Sequence, residues 1–99
     1  MSYKSKFSTK AIESLFEAIT TLETKEECYR FFEDLCTIKE IQDMAQRFEV
    51  AKLLEQKVSY QKISDETKAS TATISRVSKS LVYGANGYKI VFDKLNKKD

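Results

Sequence analysis

The sequence contains no histidine and no proline, and only two glycines, Gly84 and Gly87. Without histidine, a glycine-rich phosphate loop or a nucleophile-base pair among its Cys, Ser and carboxylate residues, the chain lacks the usual carriers of catalysis and is read as a non-enzyme. The adjacent acidic pairs Asp65-Glu66 and Glu26-Glu27 do not change this, since neighbours on a helix point about 100° apart and share no site. The lack of proline and scarcity of glycine remove most strand-and-turn punctuation and leave helix caps as the boundary signals. No apolar run approaches the roughly 20 residues of a membrane span, and Met1 to Lys10 lacks the apolar stretch of a secretory signal. A cytoplasmic protein with no membrane partner is expected. Cys28 and Cys36 have no zinc-like spacing around them and are read as reduced, buried or half-buried thiols, with no metal site and no cofactor.

What is present is a 99-residue chain with 41% apolar and 32% charged positions, which fits a single domain over residues 1–99. Six Phe and five Tyr are a heavy aromatic load for so small a core, and a partner subunit is the simplest place to bury them. The formal net charge is only +2, so any nucleic-acid reading must rest on where charges sit. Between Lys57 and Tyr83 the basic residues Lys57, Lys62, Lys68, Arg76 and Lys79 face only Asp65 and Glu66.

Caps and apolar spacing predict an all-α chain. Ser8 or Thr9 can cap a first helix whose Ile12, Leu15, Phe16, Ile19 and Leu22 recur at three- and four-residue spacing. Thr24-x-x-Glu27 and Thr37-x-x-Glu40 have the form of capping boxes. The first opens a helix through Leu35; the second opens a longer one with Ile38, Ile41, Met44, Ala45, Phe48 and Ala51 along one side, ending near Glu55 or Gln56. On the helix from Thr24 the apolar sector of Cys28, Tyr29, Phe31, Phe32 and Leu35 spans roughly 160°. Such a helix either sits centrally in a monomeric bundle or also packs on a second chain, and size and aromatic content favour the second.

Two short helices follow, Tyr60 to Thr67 capped by Ser59 and Thr71 to Val82 capped by Ser70, with a turn at Lys68 to Ser70. A helix-turn-helix over about 59–82 is expected, held by the apolar contacts of Ile63, Ile74 and Val77 and by the small Ser64 at the crossing. With Ile74 taken as zero on a helical wheel, Val77 and Leu81 lie within about 60° of it, so that side faces inward. The opposite side carries Ala72, Ser75, Arg76 and Lys79, with Thr71 and Ser80 at its margins. Small residues permit close approach, hydroxyls bond base edges, and cations reach phosphate or guanine, so this surface suits a major groove.

The segment Ser59-Tyr-Gln-Lys-Ile-Ser-Asp-Glu-Thr-Lys-Ala-Ser-Thr-Ala-Thr-Ile-Ser-Arg-Val-Ser-Lys-Ser-Leu81 resembles the DNA-reading motif of the Trp repressor family. Phe32-Glu-Asp-Leu-Cys-Thr-Ile-Lys-Glu-Ile-Gln-Asp-Met-Ala-Gln-Arg47 is similar to the family segment that runs from a leucine-threonine helix start to a pocket arginine. With the Gly84-Ala-Asn-Gly-Tyr88 loop, the likeness is nearest to the small YerC/YecD group and covers about residues 10 to 96. The resemblance implies a Trp-repressor-like helical bundle in an intertwined homodimer, with amino-terminal helices of both chains in a shared core. Two reading heads would then enter successive major grooves about 34 Å apart on a near-palindromic duplex.

By position, Gln61, Thr71, Ala72 and Ser75 match family residues that face bases or the groove. Arg76 matches an arginine that helps hold the indole ligand of the Trp repressor, and Thr37, Arg47 and Ser80 match others of that pocket. Val77 stands where that repressor has glycine, and its extra methyls would enter the space of an indole ring at a cost of about 1–3 kcal/mol. L-tryptophan is therefore not expected as a ligand, and any other effector is unspecified. Lys68 stands at a turn position that usually carries glycine because the backbone needs positive φ; lysine there costs about 1 kcal/mol and offers a phosphate contact. The function expected is a DNA-binding repressor of transcription acting as a homodimer. The other reading is an all-helical module that meets a protein instead of double-stranded DNA.

Overall fold

Serine and threonine hydroxyls, rather than glycine or proline, set most helix starts in the computed structural model, which describes residues 3–97. The described residues form six helices and no strand: α1 (Lys10–Ile19), α2 (Lys25–Leu35), α3 (Ile38–Glu55), α4 (Tyr60–Thr67), α5 (Thr71–Tyr83) and α6 (Gly87–Asn96). The side chains of Thr9, Thr24, Ser59 and Ser70 accept backbone N–H bonds at the starts of α1, α2, α4 and α5, satisfying donors that a helix cannot pair internally. At α2 the reciprocal bond lands one residue early: Glu27 Oε1 accepts from the Glu23 N–H at 2.8 Å, just ahead of the Thr24 cap. The chain divides between Thr37 and Ile38 into two compact units.

The amino-terminal unit holds α1 and α2, and none of its described residues is buried. α1 stops at Ile19, short of the apolar pattern that runs to Leu22. The Thr20 and Thr21 hydroxyls donate to the carbonyls of Glu17 and Ala18 at 2.7 Å, offering the backbone an alternative to another helical turn. On α2, Phe31 and Phe32 are half-buried with rings edge-on at 5.6 Å, whereas Tyr29 and Leu35 are exposed. Cys36 is half-buried, but Cys28 is exposed, contrary to expectation, because no side chain described in this unit is closed off from solvent.

The second unit holds α3 to α6 around a small closed core of Val50, Ala51, Ile63, Ala69, Ile74 and Val77. Full burial of each larger aliphatic side chain is worth about 1.5–3 kcal/mol. The core draws on the carboxyl-terminal half of α3, which packs on α4 and α5. Ile38, Met44 and Ala45, expected on the inward stripe of α3, are exposed, and the buried Val50 lies outside that stripe. α6 is an element the sequence reading treated as the end of a loop. Gly87 and Tyr88 are already helical, and Tyr88 and Phe92, one turn apart, bring their rings to 6.5 and 5.5 Å from Phe48. An Asn-Gly dipeptide reads as a turn, yet here Asn86 takes the left-handed conformation just ahead of the helix.

Candidate nucleic-acid interface

The α4-turn-α5 hairpin is fixed by side chains that the short helices aim at one another. Ile63 of α4 and Ile74 and Val77 of α5 are buried together, and Ala69 in the turn joins them. Ser64 does more than fit the crossing, since its hydroxyl donates to the Ala69 carbonyl at 3.0 Å. Thr67 Oγ1 donates to the Ile63 carbonyl and accepts from the Ala69 N–H, tightening the end of α4. Gln46 Nε2 reaches from α3 to the Thr67 carbonyl at 3.1 Å, so the hairpin is tied to α3 by a hydrogen bond as well as by apolar contact. Lys68 turns the chain with φ 64 and ψ 13, the left-handed conformation expected there, at about 1 kcal/mol relative to glycine.

With Ile74 and Val77 facing in, the opposite side of α5 is open. Ala72, Ser75, Arg76 and Lys79 are all exposed and line one shallow groove of about 530 Å³ together with Ser80, Tyr83 and Gly84. Gln61, Lys68 and Thr71 are exposed outside that groove, on α4, in the turn and at the first position of α5. The Gln61 amide donates to Asp65 Oδ1 at 3.1 Å, so its hydrogen-bonding edge is held along α4.

Tyr83 is the member that the sequence reading left out. It is 85% exposed and falls four residues after Lys79 and seven after Arg76, which extends the same face by one helical turn. That spacing is present in the sequence, but the helix expected to end at Val82 runs one residue further, to Tyr83. The side chain of Gly84 is absent for a steric reason, because a Cβ there would lie 2.3 Å from the Ser80 carbonyl oxygen.

Charge follows the same division. Glu66 pairs loosely with Lys62 along α4, and Asp65 is engaged by Gln61. No ion pair involves Lys57, Lys68, Arg76 or Lys79 among the described residues, so the hairpin presents uncompensated positive charge with hydroxyls and a methyl between. Such a face is chemically a receptor for an anionic polymer with hydrogen-bonding edges.

The residues matched to an indole pocket are placed differently from one another. Arg76 and Ser80 lie on the open groove, Arg47 is half-buried on α3, and Val77 is enclosed in the core at 1% exposure. Thr37 belongs to the amino-terminal unit.

The profile of the family described as Trp repressor protein matches residues 10–96. The chain is 52% identical over 88 residues to the uncharacterized protein YerC of Bacillus subtilis strain 168, spanning 89% of this chain and 85% of that protein. A crystal structure of a TrpR-like protein from Eubacterium eligens superposes with a TM-score of 0.88 at 54% identity, covering 92% of this chain and 94% of that one.

Proposed function

The chain belongs to the Trp repressor protein family, and from that premise we propose that it is a sequence-specific repressor of transcription that reads duplex DNA as a homodimer. The observation that carries this reading is the outward quartet of Ala72, Ser75, Arg76 and Lys79 on α5, backed by the buried clamp of Ile63, Ile74 and Val77. Ser75 bonds a base edge, Ala72 and the Thr71 methyl meet thymine methyls, and Arg76 and Lys79 reach guanine or phosphate. Gln61 faces the groove from α4, and Lys68 positions the hairpin on the phosphate backbone.

The homodimer is supported by the amino-terminal unit, where Phe16 and Tyr29 remain 58% and 68% exposed on amphipathic helices with no buried residue of their own. Two-fold symmetry then calls for two half-sites about 34 Å apart. L-tryptophan is not the effector in this reading, because Val77 already fills interior space. Titration calorimetry with the amino acid should register no heat of binding, and a micromolar affinity would refute that part.

Selection of bound duplexes from a random pool tests the whole reading. Recovery of a near-palindrome with half-sites one turn apart supports it, and failure to enrich any sequence overturns it. If about six phosphates are neutralised per dimer, affinity should fall on the order of a thousandfold between 50 and 200 mM salt. Binding that salt barely alters would instead favour a protein partner on the same face.

A further inference from the structure

Among the described residues, three that are not glycine have a left-handed backbone: Lys57, Lys68 and Asn86, with φ of 64, 64 and 65. Lys57 ends α3. Its N–H bonds the Leu54 carbonyl at 3.0 Å and the next N–H, from Val58, bonds the Leu53 carbonyl at 3.1 Å, while Val58 packs on the core. Those two bonds are the Schellman arrangement. Lys68 ends α4 with one bond to the Ser64 carbonyl at 2.9 Å. Helix ends of both kinds favour glycine, then asparagine, because a Cβ is penalised in this conformation.

Asn86, ahead of α6, follows that preference, and the two positions that bracket α4 do not. A long side chain adds nothing to the left-handed turn itself, so what lysine contributes at both is its charge. That charge is uncommitted: the ion pairs of this unit that involve α3 and α4 join Lys39 to Asp43, Lys52 to Glu49 and Lys62 to Glu66. Both lysines are exposed. An eight-residue helix is about 12 Å long, well beyond the roughly 3.4 Å axial repeat of phosphates on one strand, so the two ends of α4 are far enough apart to meet separate phosphates.

We propose that Lys57 and Lys68 are paired phosphate anchors, one at each end of α4, which fix the register of the reading head on the DNA backbone at the expense of helix-end stability. The inference rests on the duplex-binding reading above. Its test uses the full chain and a fluorescent mixed-sequence duplex, with anisotropy read from 50 to 200 mM NaCl and thermal unfolding measured alongside. Lys57→Asn and Lys68→Asn keep the left-handed turn and remove the charge; Lys57→Arg and Lys68→Arg keep the charge.

Each Asn variant should weaken binding about three- to tenfold and flatten the salt dependence by about one unit of slope per lost contact, with an unfolding midpoint equal to or above wild type. Each Arg variant should retain the wild-type slope. Asn variants with the wild-type slope overturn the proposal while leaving duplex binding in place. A wild-type chain that ignores the duplex overturns both.

Discussion

The two units of this chain solve the problem of stability in opposite ways. Residues 38–97 enclose a core of six buried side chains, whereas the described part of residues 1–37 has well-capped, strongly amphipathic helices and buries nothing completely. Local capping and apolar periodicity are as good in the first unit as in the second, so they do not by themselves produce an interior. An interior appears where aliphatic side chains from three successive elements converge, as Val50, Ile63 and Ile74 do. The carboxyl-terminal unit therefore carries a core of its own, and in our proposal the amino-terminal helices obtain theirs from a second copy.

The contrast is broken most severely by Ile74→Ala. Deleting this buried side chain should cost about 2–5 kcal/mol in chemical denaturation, whereas Phe16→Ala, at a largely exposed site, should cost far less in dilute protein. Equal losses would refute the distinction. Gly84→Ala should come next, at about 1–3 kcal/mol, since the new methyl meets the backbone oxygen of Ser80 and not a flexible side chain.

Protein concentration sharpens the comparison from the other side. If a second copy completes the amino-terminal unit, a tenfold increase in concentration should raise apparent stability by about 1.4 kcal/mol, and Phe16→Glu should abolish that dependence. A denaturation midpoint unmoved by concentration would count against the homodimer. The smallest change expected is from Gly87→Ala, where a Cβ meets nothing within 4 Å at the first position of α6. Here the unfolding free energy should rise by about 0.4–1 kcal/mol through the unfolded chain.

The hairpin was the most legible part of the sequence. Ser59 and Ser70 mark α4 and α5 because each hydroxyl has a defined N–H to accept, and the spacing of Ile63, Ile74 and Val77 names the inward face without reference to anything else. α3 was harder to read. It has apolar residues on more than one side, and which of them is buried depends on where α4 and α5 meet it, so spacing alone does not single out Val50 or exclude Ile38, Met44 and Ala45. α6 overlaps the Gly84 to Tyr88 stretch expected as a loop, although Tyr88 and Phe92 repeat the four-residue spacing used elsewhere. The left-handed backbone of Lys57 is a matter of torsions, which composition and spacing do not contain.

The bond from Gln46 to the Thr67 carbonyl has a mechanical consequence. It joins the middle of α3 to the last residue of α4, just before the chain reverses, so the hairpin is referenced to α3 by a polar tie as well as by the packing of α3 on α4 and α5. In our proposal a duplex therefore meets α5 at an angle set with the help of α3, and curvature needed to engage two half-sites falls to the nucleic acid.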